Sequence, residues 1–168
     1  MPTREIMFRG LAEDGKWLYG GYVRDRGVDR IFPENYELNG TAVKAGTVGE
    51  YSGFSDNEGT MIFEGDMLRV EKDSNNSVFT TTGIVEFDRG VFMLRTTTGN
   101  TPLYQILTLD ASVTILGNEV TDKKKVLLQR INEFLDSCIP DFTDDMTEQQ
   151  EMYGIIKQAK ELLEGEQE

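Results

Sequence analysis

The 168-residue sequence has no histidine and one cysteine, Cys138. Without imidazole the commonest general base is gone, and with it the Ser-His and Cys-His nucleophile systems and every zinc site built on histidine. A lone cysteine precludes an internal disulfide. No apolar run approaches the ~18 residues that a membrane span needs. The opening MPTREIMFRG has no apolar stretch of the kind that marks a secretory signal. Together these absences predict a cytosolic protein with no cofactor, no metal and no membrane contact. Positive charge is scarce too: 17 Lys and Arg stand against 30 Asp and Glu, leaving −13. Direct nucleic-acid binding is therefore not expected, because a phosphate backbone rewards a basic face. The excess is −7 over residues 1–120 and −6 over 121–168, so the last 48 residues hold nearly half of it.

What is present is ordinary for a folded chain, 38% hydrophobic and 28% charged. Up to residue 118 the pattern is short strands broken by turns. Ile6 and Phe8 alternate with polar neighbours, Trp17, Tyr19 and Tyr22 form an aromatic run around Gly20 and Gly21, and Ile31 and Phe32 end at Pro33. Between them Glu13-Asp14-Gly15, Asp25-Arg26-Gly27, Asn39-Gly40, Asn57-Glu58-Gly59 and Asp88-Arg89-Gly90 each place glycine where positive φ is cheap. The clearest piece is EGDMLRV at 64–70, followed by GIVEFDRGVFML at 83–94, which reads as a hairpin turning at Arg89-Gly90. A Gly-Asp pair entering a strand and then a hairpin is similar to small SH3-like barrels. Residues 103–109 fit a short helix or a strand, and Val113 to Leu116 form a last strand closed by Gly117-Asn118.

From residue 121 the period turns helical. Leu127, Leu128, Ile131, Phe134, Leu135 and Cys138 recur at three- and four-residue spacing ahead of Pro140. Thr147 and Gln150 form a capping box before Met152, Ile155, Ile156, Ala159, Leu162 and Leu163. The fold expected is thus mainly β, an SH3-like small barrel of antiparallel strands over 1–120, with an acidic helical hairpin over 121–168, α+β overall. Two helices alone are marginal, so Leu127, Leu128, Ile131, Phe134, Leu135, Ile155, Ile156 and Leu162 are expected to pack on the β domain or on a second subunit.

The first 118 residues resemble the YopX family of phage and prophage proteins. REIMFRG at 4–10, KWLYG at 16–20, IFP at 31–33, TVGEYSGFSDNEGTMIFEGDML at 47–68, GIVEFDRGVFML at 83–94 and VTILGN at 113–118 carry the likeness, in that order. The chain departs from the family in lacking an aromatic near Leu11 and in having Glu50 where glutamine is usual. The resemblance implies a β-rich fold related to SH3-type barrels, a mobile-element origin and a tendency toward homo-oligomers. It carries no catalytic residues across, and the tail from 121 onward lies outside it.

Two groups of residues are candidates for a site. Residues 53–66 put Asp56, Glu58, Glu64 and Asp66 into a Gly-rich stretch with Gly59 and Gly65. The spacing fails an EF-hand loop, because with Gly59 at the sixth position the first ligand would be Phe54. The plainer expectation is that Asp56, Asn57 and Gly59 build one turn, Gly65 and Asp66 the next, with Ile62 and Phe63 anchoring the link. The second group is Arg9, Trp17, Arg24, Tyr51 and Arg69, where guanidinium groups beside aromatic rings suit a small anionic, nucleotide-like ligand. With the resemblance, these features imply a non-enzymatic phage or prophage accessory binding protein, a host-interference factor that sequesters such a ligand. The alternative is an acidic inhibitor or adaptor docking on a basic host protein through the C-terminal helices.

Overall fold

The computed structural model describes residues 5–33, 40–74, 77–108 and 111–123, and beyond these 127, 128, 131, 132, 156, 157, 159 and 160. The chain divides into two compact units, Met1–Thr121 and Asp122–Glu168. Among the described residues the first holds eleven strands: β1 (Phe8–Leu11), β2 (Trp17–Asp25), β3 (Val28–Phe32), β4 (Thr41–Ala42), β5 (Gly49–Ser55), β6 (Met61–Phe63), β7 (Asp66–Ser74), β8 (Ser77–Asp88), β9 (Val91–Arg95), β10 (Asn100–Pro102) and β11 (Ser112–Asn118). One short helix, α1 (Leu103–Leu107), lies between β10 and β11.

The turns follow from the Asp-Arg-Gly triplets. Arg26 and Gly27 have φ of 49° and 84°, and Arg89 and Gly90 have 50° and 87°. Positive φ at both central residues is the geometry of a two-residue hairpin turn whose twist matches its strands. Asp25 accordingly faces Val28, and Asp88 faces Val91.

The strands form two antiparallel sheets, β4-β3-β2-β1-β5-β6 and β10-β9-β8-β7-β11. This corrects the expected SH3-like barrel with a helical hairpin. Periodicity marks where strands lie, but the chain passes between sheets at the two-residue link from β6 to β7, a switch that no local pattern encodes. α1 is the only helix with bounds among the described residues; Leu127, Leu128, Ile131, Asn132, Ile156, Lys157, Ala159 and Lys160 have helical backbone, and no helical hairpin is formed by the described residues. Of the residues expected to pack in that hairpin, Leu127, Leu128, Ile131 and Ile156 are described, and Phe134, Leu135, Ile155 and Leu162 lie outside the described residues. Among the described residues no helix is long and apolar enough to cross a membrane.

The main core sits on the five-stranded sheet. Leu68 and Val70 of β7, Val85 of β8, Phe92 and Leu94 of β9 and Val113 of β11 alternate inward, and Leu103 and Ile106 close α1 over them. Ile62 of β6 joins this cluster from the other sheet, with Phe54 of β5 packed against it. The sheets are thus joined by apolar contact as well as by the chain. Thr80 to Thr82 lie inside β8, and Thr82 is buried.

Candidate functional site

The link between the sheets is Glu64-Gly65, and its turn is built from Asp66. The Asp66 carboxylate accepts the Phe63 N–H at 2.8 Å. Gly65 has φ of 83°, donates to the Val85 carbonyl at 2.8 Å and accepts from Glu119 N–H at 2.8 Å. The link is therefore threaded between β8 and the residue that follows β11. On β1, Arg9 lies opposite Gly49 of β5 and Tyr19 of β2. A Cβ at Gly49 would stand 2.5 Å from the Glu64 carbonyl oxygen, so the link can approach the sheet only where β5 has no side chain.

Into this junction Arg9 sends its guanidinium, which ion-pairs with Asp66. Both residues are buried, at 7% and 1% exposure. The guanidinium carbon lies 4.5 Å from the Trp17 ring centroid and 4.8 Å from that of Phe63. Phe63 in turn packs against Tyr19 at 5.6 Å and Tyr51 at 5.5 Å. Burial pushes the Asp66 carboxyl up, opposed by the Arg9 charge and by hydrogen bonds from Phe63 N–H and the Asn118 side chain.

Beside the junction opens a cleft of about 200 Å³, lined by Gly46, Thr47, Val48, Glu64, Gly65, Val85, Glu86, Asn118, Glu119 and Val120. Three of these are carboxylates. Arg95 of β9 binds Glu86 at 2.5 Å and reaches Glu119 at 3.5 Å. Burial pushes the Glu64 carboxyl up, and the nearby Glu50 and Glu86 charges add to the rise, against hydrogen bonds from Phe87 and Glu50 N–H. The cleft offers acceptors, so it suits a group rich in donors or a positive charge better than an anion.

The arginine and aromatic residues singled out in the sequence divide three ways. Arg9, Trp17 and Tyr51 meet around Phe63, but the Arg9 charge is committed to Asp66. Arg24 lies on the β2–β3 hairpin, where its exposed side chain is 3.7 Å from Asp29. Arg69 is exposed on β7, in the other sheet, opposite Thr82 and Thr114. Of the acidic stretch, Asp56 makes the β5–β6 turn: its carboxylate accepts from Glu58 N–H at 3.0 Å and Thr60 N–H at 2.8 Å, and Gly59 supplies φ of 83°. Asn57 then bonds β11 on both sides, donating to the Val113 carbonyl at 3.1 Å and accepting Val113 N–H at 2.5 Å. Among the described residues no group of three or more Asp, Glu or Cys is placed to hold a metal ion.

Asp56→Ala removes two turn acceptors at an exposed site and is expected to cost about 0.5–1.5 kcal/mol in urea unfolding, with Asp56→Asn close to wild type. Equal losses in the two variants would show that the acceptor is not what matters.

Sequence reasoning missed the cleft. Glu64, Glu86 and Glu119 come from three separate places in the chain, and only the pairing of β7 with both β8 and β11 brings them together, with Arg95 supplied by β9 beside β8. A family model described as YopX protein matches residues 13–120. No curated protein and no solved structure matches the chain.

Proposed function

The chain belongs to the YopX family, and from that premise we propose that it is a non-enzymatic accessory binding protein of a phage or prophage that acts in the host cytosol by engaging a basic host protein. The observation that supports this over sequestration of a nucleotide-like anion is the disposition of charge. Arg9, the arginine set among the aromatics, is neutralised inside the junction by Asp66, whereas the adjoining cleft sets three carboxylates, Glu64, Glu86 and Glu119, against the one guanidinium of Arg95, which Glu86 and Glu119 share. A phosphate placed there would meet carboxylates, in a chain whose net charge is already −13. A lysine or arginine side chain would meet acceptors. Exposed opposite charges of this kind set association rate and partner choice, and their effect falls with salt.

The test is calorimetric titration of the full chain with a lysine-rich peptide and, separately, with ATP and GTP. Peptide binding is expected at low salt, weakening at least tenfold by ~0.5 M salt, with no heat from either nucleotide. Glu64→Gln and Glu119→Gln should weaken the peptide several-fold more than Asp14→Asn, which makes the same charge change on an exposed turn away from the cleft. A nucleotide that binds in the micromolar range would overturn the reading. So would peptide binding that the three variants weaken equally.

A further inference from the structure

The five-stranded sheet turns one face to the main core and the other to the cleft. Val85 of β8 and Phe92 and Leu94 of β9 belong to the core, so alternation puts Val91, Met93 and Arg95 on the opposite face together with Glu86 and Asp88. The Arg95–Glu86 ion pair confirms that side. Where this face lies over Met67 and Ile84 it is closed, both residues being buried. Further out it opens. Met93 stands across from Glu86 on one side and Pro102 on the other, and Val91 stands across from Asp88. Val91 is 39% exposed, and Met93 and Pro102 are half-buried.

A single exposed valine is ordinary on a protein surface. What distinguishes this apolar shelf is its neighbour. The cleft holds Glu64, Glu86 and Glu119 against the one guanidinium of Arg95, and Glu86 belongs to both features, as a wall of the cleft and as the cross-strand partner of Met93. An anionic cleft continuous with an apolar shelf complements a segment that carries a cation and an apolar side chain on one side. Charge orients such a partner and speeds its arrival, while burial of apolar area holds it.

We propose that the shelf of Val91, Met93 and Pro102 forms one docking surface with the cleft, and that its occupant is an extended basic segment with an apolar residue two places from the cation. The inference rests on the cleft reading above and names the class of segment the cleft takes. The spacing follows from the sheet. Gly65 lines the cleft and bonds β8 at Val85, and β9 lies one strand beyond β8, so the two seats are two inter-strand steps, on the order of 10 Å, apart. Side chains on one side of an extended segment repeat every ~6.6 Å, and the long stem of a lysine or arginine spans the remainder. Neighbouring residues point to opposite sides, so a cation followed at once by an apolar residue fills only one seat.

The test is calorimetric titration of the full chain at low salt with three peptides of equal length and charge. They are built from repeats of lysine-serine-serine-serine, lysine-serine-leucine-serine and lysine-leucine-serine-serine, so the last two are isomers that place leucine on the same side as lysine or on the opposite one. The same-side peptide is expected to bind about tenfold tighter than the serine peptide, the gain of partly burying a leucine, and several-fold tighter than its isomer. Val91→Ser and Met93→Ser should each remove most of that advantage and leave the affinity of the serine peptide unchanged. Equal affinity for the two isomers overturns the shelf and leaves the cleft reading standing, and this comparison needs no variant to fold. A leucine advantage that both serine variants retain overturns it as well. If none of the three peptides binds, the cleft reading itself falls and this inference falls with it.

Discussion

Asp66→Ala is expected to lower the unfolding free energy by about 3–5 kcal/mol, a large share of what a domain of this size possesses. The substitution leaves the Arg9 guanidinium buried between Trp17 and Phe63 with no counter-charge, and it leaves the Phe63 N–H without its acceptor. Arg9 Nε already lacks a protein partner, so the junction has little capacity to absorb a second unsatisfied group. Urea unfolding checks the size of the loss. Removing the charge as well should restore part of it: Arg9→Met combined with Asp66→Asn is expected to be more stable than Asp66→Asn alone. A double variant no better than the single would mean that the stranded charge is not the cost.

Arg9→Met alone has a pH signature whose sign follows from Asp66. Burial raises the folded-state carboxyl above its usual 3.8, so the folded state holds the proton more tightly than the unfolded chain. The stability this group contributes is complete below about 3.8 and is lost as pH rises through the folded value. Without Arg9 the upward push of burial is less opposed and the window widens. The gap in urea midpoint between wild type and Arg9→Met should therefore grow from pH 4 to pH 8. A constant gap would mean that packing of the Arg9 side chain, not its charge, holds the junction.

The turns of this protein were legible in its sequence because their causes are local. Asp56, Gly59, Gly65 and Asp66 build the two turns expected of them, and both Asp-Arg-Gly triplets turn hairpins. Hydrogen bonds a few residues long and a positive φ leave a mark in composition. The pairing of strands does not. Nothing in residues 61–66 says that β6 ends one sheet and β7 begins another, and a run of short strands reads equally well as one small barrel or two open sheets. The same gap hid the site. Arg9 beside aromatics looked like a grip for an anion because its partner is 57 positions away, and the cleft carboxylates gather only once β7 lies between β8 and β11. Helical spacing after residue 121 is a local signal, matched by helical backbone at Leu127, Leu128, Ile131 and Ile156, but spacing alone does not say that two helices pair.

Phe63→Ala is the other change expected to cost about 3–5 kcal/mol, and it separates scaffold from site. Phe63 is 1% exposed and touches everything that holds the junction: the rings of Tyr19 and Tyr51, the Arg9 guanidinium, and through its own N–H the Asp66 carboxylate. Phe63→Leu keeps most of the apolar volume but forfeits two aromatic pairs and a cation–π contact, which together are worth about 1–3 kcal/mol. The leucine variant should therefore lose roughly half of what the alanine variant loses. Trp17, the single tryptophan, reports on the same place, so its emission should shift in both variants while they remain folded. Glu64 follows Phe63 directly and lines the cleft, so partner binding gives the discriminating readout. If the junction serves only to position Glu64, Phe63→Leu will weaken binding of a lysine-rich peptide although no charge has changed. Unaltered affinity alongside a shifted Trp17 emission would show that Gly65, held between Val85 and Glu119, fixes the cleft without help from the rings.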